Sequence, residues 1–380
     1  MSENPLTHLQ TPCLVLDEAR MERNIARLRQ HAEQLGVMLR PHLKTSKSVK
    51  VARRTLEGGN GPATVSTLKE AEVFHDAGIS DLVYAVGISP DKLPRVAALK
   101  RDGCDLTVIL DSVAQAEAVA RSSRESGDPI DVLIEIDSDG HRSGLAPDSP
   151  ELVEVGRRLH EGGANLRGVL THAGESYNAV GEDELAAFAE RERAAAVRAA
   201  EILRATGLPS PVVSVGSTPT AHLARDLTGV TELRAGVYVF FDLVMAGIGV
   251  CTVDDIALSV LATVIGHQKD RGWIVTDAGW MAMSRDRGTA SQEVDQGYGV
   301  VCDVDGNVIP DLIVSGANQE HSILSLREGS SDSLPELPVG TKLRILPNHA
   351  CATAAQHEAY WVVSPEPDVP LRQWSRFNHW

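Results

Sequence analysis

Along the first two-thirds of the chain, short apolar runs alternate with stretches whose apolar positions recur at helical spacing. The runs lie near 37–42, 63–66, 82–86, 105–110, 131–136, 166–171, 212–216 and 231–235. Between them the period changes. Met21, Ile25, Leu28, Ala32 and Leu35 advance by steps of four and three, which makes one buried helical stripe. Asp17 can cap that helix and Gly36 can stop it. Thr67 and Glu70 stand at capping-box spacing, Ser89 precedes Pro90 as an N-cap should, an alanine-rich helix is expected over 112–125, and a long one within 181–206. Strands alternating with helices predict a parallel sheet. Eight such units in about 230 residues predict an α/β fold of the (β/α)8 barrel type. An open doubly wound sheet is the alternative, disfavoured because no glycine-rich phosphate loop follows the first strand.

After about residue 245 the texture changes. "ALSVLATVIGHQ", "GWIVTDAGW", "GVVCDV", "NVIPDLIVSG", "KLRILPN" and "AYWVV" read as strands with little helix between them, and Asp305-Gly306 is a hairpin turn signal. A second, all-β domain is expected. The division expected is a barrel over 14–245 and a β domain built from 1–13 and 246–380. "TPCLVLD" (11–17) is strand-like and precedes the barrel rhythm, so it can pair into that β domain.

Composition narrows the function. The chain of 380 residues is 43% hydrophobic and 23% charged, as expected of a globular protein. Its net charge of −16 argues against a nucleic-acid partner and against docking on anionic lipid. The start "MSENPLTHLQ" has neither a basic nor an apolar leader region, and no run is long enough to span a membrane. Five scattered cysteines fit a reducing compartment, so a cytoplasmic location is expected.

In a (β/α)8 barrel the chemistry sits at the C-terminal ends of the strands. Lys44 follows the first barrel strand in "RPHLKTSKS", Arg142 follows the fifth in "GHRSG", and His172 ends the sixth in "THAGESY", with Tyr177 just beyond. Gly216, Ser217 and Thr218 follow the seventh, and Gly236 and Tyr238 the eighth. "GSTPT" reads either as a plain loop before a helix or as a phosphate cradle of backbone N–H groups, hydroxyls and a helix N-terminus. Arg142 could pair with Asp137 or Asp139, and a lone His172 is more often a satisfied core histidine. In the β domain, His349 and Cys351 are two apart and would point the same way on an extended segment. Imidazole and thiolate suit zinc, though a pair alone also fits a small buried cysteine beside a turn histidine. Glu320 and His321, in "NQEHS", are either acid–base groups or exposed polar residues.

Taken together, "RPHLKTSKS", "GHRSG", "THAGESY", "VSVGSTPT", "ELRAGVYVFFD", "VTDAGW", "QEHS" and "LPNHACAT" resemble, in order and over nearly the whole chain, the fold-type III pyridoxal-phosphate enzymes of the D-serine dehydratase and D-threonine aldolase group. "VVSVGSTPT", "RAGVYVFFDLVM" and "DAGWMAMSRDRGTA" are most similar to its hydroxyaspartate-dehydrating branch. The resemblance implies an alanine-racemase-type barrel, a homodimer, pyridoxal 5'-phosphate as cofactor and a divalent metal: zinc, or manganese, cobalt or magnesium. It makes Lys44 the Schiff-base lysine and Arg142 the neighbour of the cofactor's phenolic oxygen. Tyr177, Gly216, Ser217, Thr218, Gly236 and Tyr238 become cofactor contacts. His349 and Cys351 become metal ligands, and Glu320, His321 and His172 acid–base candidates. Cys351 stands where the aldolases carry aspartate, which favours dehydration of a D-3-hydroxy amino acid, with hydroxyaspartate to oxaloacetate and ammonia expected first and D-serine also accepted. Retro-aldol cleavage, a non-catalytic pyridoxal-phosphate carrier and a metal hydrolase are the alternatives. A distal substrate carboxylate would need a cation, and Arg40, Lys47, Arg285 and Arg287 are available; Arg40 is also expected to help keep Lys44 neutral and nucleophilic.

Overall fold

The computed structural model describes residues 4–366 and 369–380. The first three residues of the polar start therefore lie outside it. The chain forms two compact units. One spans Ala26–Gly236 with His379–Trp380; the other takes the chain before Ala26 together with Val237–Asn378.

β1 (Cys13–Asp17) is not a barrel strand. The barrel strands are β2 (Met38–Pro41), β3 (Ala63–Val65), β4 (Asp81–Gly87), β5 (Asp105–Leu110), β6 (Asp131–Ile136), β7 (Asn165–Thr171), β8 (Val212–Val215) and β9 (Glu232–Ala235). All pair in parallel, in the order β2-β9-β8-β7-β6-β5-β4-β3. A parallel bridge between His42 and Thr64 brings the two end strands together and closes the ring. The expected (β/α)8 barrel is present, and the local signals explain its helices. Asp17 accepts the Arg20 amide at 2.9 Å ahead of Glu18–Gln34, and Gly36 follows with φ +69°. Thr67 accepts the Glu70 amide at 3.0 Å. Ser89 behaves differently from expectation: its side chain caps nothing, and a 3-10 turn, Pro90–Lys92, precedes the helix Leu93–Arg101. A second proline, Pro94, restarts that helix, because it has no N–H to continue the first turn.

Positions two apart on the strands share one face, and that face carries both an apolar and a charged part. Val83, Ile109, Leu133 and Leu170 form one buried cluster. Beside them runs a hydrogen-bonded chain of opposite charges. Arg40 pairs with Asp81 at 2.7 Å and with Glu232 at 2.8 Å. Glu232 accepts from Ser214, whose hydroxyl also accepts from Arg234, and Arg234 donates to the Thr171 carbonyl.

The second unit carries β10 (Leu258–Gln268), β11 (Trp273–Thr276), β12 (Gly299–Cys302), β13 (Val308–Ala317), β14 (Ser322–Leu326), β15 (Lys342–Pro347), β16 (Ala359–Val363) and β17 (Arg372–Ser375). With β1 they make a nine-stranded sheet, almost wholly antiparallel. The strand-like pattern of 11–17 is explained here: β1 lies between β10, antiparallel, and β16, parallel. Asp303 organises the β12–β13 turn by accepting the Asp305 and Asn307 amides at 3.0 and 2.9 Å. None of the five cysteines is in a disulfide, and no helix among the described residues is long and apolar enough to cross a membrane.

Candidate active site

Lys44 lies in the turn after β2 and is exposed. Its turn is fixed on both sides. The Leu43 amide donates to the Thr64 carbonyl at 2.9 Å. Lys47, at φ +42°, forms an ion pair at 3.2 Å with the buried Glu70. Two imidazoles face the same region. His42 reaches Ser66 Oγ at 3.3 Å, and His172 Nδ1 meets the Gly216 carbonyl at 3.1 Å. A carbonyl only accepts, so Nδ1 of His172 carries the proton and Nε2 keeps a lone pair. Burial first, then the charge of Lys44, push the His172 pKa down to about 3. The same two causes, joined by Arg234, hold His42 well below the usual imidazole range. Both rings are neutral near pH 7, so His172 offers a proton acceptor and no positive charge. Tyr177 stands beside His172, with ring centroids 6.3 Å apart. Arg142 is exposed and reaches Glu135 at 3.8 Å. It pairs with neither Asp137 nor Asp139: Asp137 accepts the amides of Asp139 and Gly140, and Asp139 accepts that of Glu175.

The turn after β8 has the shape a phosphate cradle needs. Gly216 sits at φ +137°, and a Cβ there would collide with the Arg234 backbone. A Cβ on Gly236 would press on His42 and Thr45 at 3.2–3.3 Å. The Gly236 amide meets Thr218 Oγ1 at 3.3 Å, a long bond that an anion between them could replace. Ser217 is occupied internally: its amide donates to Thr220 Oγ1 at 3.0 Å, and its hydroxyl meets Ser176 Oγ at 2.9 Å. It shapes the turn, while Thr218 and Gly236 present polar groups. The helix Thr218–Leu223 has six residues, so its dipole is small and the cradle rests on local N–H and O–H groups. These residues fit a phosphorylated cofactor anchored at Lys44.

In the other unit, His349 and Cys351 come together by a route different from the expected extended segment. β15 ends at Pro347, His349 is the extended N-cap residue, and Cys351 is the second residue of the helix Ala350–Ala354. Asp242, 2% exposed, accepts the intervening Ala350 amide at 2.9 Å. Asp286 Oδ2 holds His349 Nδ1 at 2.7 Å. Burial alone would lower the His349 pKa; hydrogen bonds to Asp286 and Cys351 outweigh it and push it up to about 11. Imidazole and thiol thus share a proton where a cation could replace it, so the pair fits a metal. Among the described residues no cluster of three or more His, Cys, Asp or Glu side chains is arranged to hold an ion, so a cation here would keep open positions. Tyr238 belongs to this unit, fully buried in the turn Val237–Val239. Glu320 and His321 are exposed at the tip of the β13–β14 hairpin, beside the Gly279–Met281 turn, whose Trp280 and Met281 amides donate to Asn318 and Gln319 carbonyls. No side-chain hydrogen bond holds either of them among the described residues.

Two family profiles divide the chain as the folds do: an alanine racemase N-terminal domain over residues 16–244 and a serine dehydratase domain over 257–363. D-threo-3-hydroxyaspartate dehydratase from Delftia sp. is 58% identical over 100% of both chains. The chain belongs to the family of the D-serine and D-threo-3-hydroxyaspartate dehydratases. Its fold-type III architecture is that of the solved Delftia enzyme, with TM-score 0.96, 57% identity and 100% of both chains covered. A cysteine-to-alanine variant of D-threo-3-hydroxyaspartate dehydratase has been solved in a metal-free form (56% identity, TM-score 0.96, 100% of both chains covered). A D-threonine aldolase from Filomicrobium marinum is more distant, at 27% identity and TM-score 0.82 over 97% of this chain and 96% of that one.

Sequence reasoning missed four of the residues that shape these sites: His42, Glu192, Asp242 and Asp286. Only Glu192 left a signal, as an acid on the buried stripe Leu185, Ala189, Ala196 and Leu203. The others act through partners distant in sequence.

Two predictions follow from the geometry. A folded-state pKa below the unfolded value means that the unfolded chain binds the proton first as pH falls. Stability from His172 is therefore complete above about pH 6.5 and is lost between there and about 3. In cofactor-free protein, denaturant titrations from pH 7 to 5 are expected to show a stability loss smaller by about 1–2 kcal/mol in His172→Gln than in the parent; equal losses would refute the assignment. Asp286→Asn weakens the hold on His349 and, where His349 and Cys351 hold a cation, should lower its affinity by about 10–100-fold in a chelator competition.

Proposed function

We propose that this family member is a pyridoxal-phosphate- and metal-dependent dehydratase of D-3-hydroxy amino acids, acting first on D-threo-3-hydroxyaspartate to give oxaloacetate and ammonia. The observation that carries the reading is the 58% identity over the full length of both chains, with family profiles matching in both units. D-serine is the second substrate expected. A homodimer and a cytoplasmic location belong to the same reading; family likeness supports the first and five cysteines outside any disulfide the second.

In this reading Lys44 Nζ is the covalent anchor of the cofactor, and Thr218 and Gly236 hold its phosphate. His349 and Cys351 hold the divalent cation. Pyridoxal phosphate supplies an electron sink for charge left on the substrate Cα, and the cation supplies Lewis-acid assistance to a departing hydroxyl. Lys44 Nζ would be the base that takes the substrate Cα proton. His42 and His172, both neutral, add no positive charge of their own beside that amine. Arg142, tied to Glu135 only at 3.8 Å, is free to turn to the cofactor ring. Glu320 and His321 stay as outer proton-transfer candidates.

The expected influence of Arg40 on Lys44 is corrected by the structure. Arg40 is neutralised by Asp81 and Glu232 inside the barrel. The same pairing removes it as a substrate cation, Glu70 removes Lys47, and Asp295 holds Arg287 at 2.6 Å. Arg285 has no carboxylate partner among the described residues; it stacks on Trp280 at 5.3 Å and adjoins Asp286. Arg285 is therefore our assignment for the distal carboxylate.

Incubation with D-serine, D-threonine and D-threo-3-hydroxyaspartate tests the reading: ammonia and a 2-oxo acid are expected, whereas glycine plus an aldehyde would show an aldolase. Lys44→Ala is expected to abolish both turnover and the visible absorbance of lysine-linked pyridoxal, and a retained band would refute the anchor. Arg285→Gln should raise KM for hydroxyaspartate by about 10–100-fold, the worth of a charged hydrogen bond, and leave D-serine kinetics unchanged.

A further inference from the structure

The long helix Glu182–Ala205 packs one face on the barrel through Leu185, Ala189, Ala196 and Leu203. Glu192 lies on that same face, 1% exposed, where an unpaired acid would be strongly disfavoured. It is fully engaged. Oε1 accepts two backbone amides, Ala173 at 2.9 Å and Gly216 at 3.0 Å. Oε2 accepts the Thr220 hydroxyl at 2.7 Å. One carboxylate thus ties together the turns that follow β7 and β8.

The tie has a direction. Gly216 is held at both of its peptide groups, its N–H by Glu192 and its carbonyl by His172 Nδ1 at 3.1 Å. Thr220, fixed by Oε2, accepts the Ser217 amide at 3.0 Å, and the Thr220 amide donates to Ser217 Oγ at 3.2 Å. Glu192 therefore takes up the Gly216 N–H and the Thr220 hydroxyl from behind. What the turn presents forward is Thr218, with the Gly236 amide opposite at 3.3 Å. We propose that Glu192 is a positioning residue that shapes the turn receiving the cofactor's phosphate and aligns it with His172. It touches neither substrate nor cofactor, and a carboxylate behind an anion site is kept for its geometry, since its charge would oppose a phosphate. This rests on the pyridoxal-phosphate reading above.

Three variants separate shape from charge. Glu192→Gln keeps one oxygen for both amides, and its amide N–H₂ can donate to Thr220 Oγ1. Glu192→Met keeps the volume and removes every acceptor. Thr220→Val deletes the hydroxyl held by Oε2, which also accepts the Ser217 amide. Binding of pyridoxal phosphate and of pyridoxal, which lacks the phosphate, is measured on each cofactor-free full-length protein, with thermal unfolding as the folding control. Glu192→Met is expected to weaken pyridoxal phosphate by about tenfold or more and pyridoxal by less than about twofold; Glu192→Gln should stay within about threefold of the parent for both. If Glu192→Met does not fold, Thr220→Val is expected to show the same selective loss, at about threefold. The proposal is overturned if the folded variants keep full affinity for pyridoxal phosphate, if both ligands weaken equally, or if Glu192→Gln falls as far as Glu192→Met. A parent protein that binds neither ligand overturns the cofactor reading instead.

Discussion

The alternating chain of buried charges in the barrel is the constraint on which the strand ends depend. Asp81, Arg40, Glu232, Ser214 and Arg234 join four strands, and Arg234 finishes on the carbonyl of Thr171, the residue before His172. Such a chain is weak evidence for stability in itself, because desolvation offsets much of the attraction. Its effect is on specificity of arrangement. Removing Arg40 strands the buried Glu232 carboxylate, at a cost of about 3–5 kcal/mol. The register of β2, β4, β8 and β9 is therefore tied to the side chains they share, and the residues that follow those strands inherit fixed starting points.

Electrostatics then divides the work between the two candidate sites. In the barrel, burial and nearby cations strip His42 and His172 of charge. In the β unit, two carboxylates and a thiol do the reverse to His349. The same side chain type is a neutral acceptor in one place and, held by a carboxylate, favours its charged form in the other. What differs is the set of partners, and neither role can be assigned from the residue type.

The fold was largely legible because it is written in local pattern. The apolar runs near 63–66, 105–110 and 131–136 became Ala63–Val65, Asp105–Leu110 and Asp131–Ile136, since a strand buried on both faces needs a continuous apolar run. That Lys44, His172 and the 216–218 turn stand at the C-terminal ends of barrel strands was legible from the strand rhythm. Asp286 and Asp242 were not, because each acts on 349–350 across more than 60 residues of chain. The extended geometry expected of His349 and Cys351 failed for a local reason: after Pro347 the backbone turns, and small residues close a short helix. Arg40 misled for the opposite reason. Read beside Lys44 it is a neighbouring cation; folded, it points into the barrel and is neutralised there.

The tether of the Lys44 turn has a kinetic side. With Leu43 bonded to Thr64 and Lys47 paired with Glu70, the backbone on either side of Lys44 is pinned. Any move its amine makes between one atom and another is made by rotation about the bonds of its own stem. Exposed side chains change rotamer in picoseconds to nanoseconds, whereas loop and domain rearrangements take microseconds or longer. An amine carried on a fixed shoulder can therefore change position on the rotamer timescale, without waiting for the loop to rearrange.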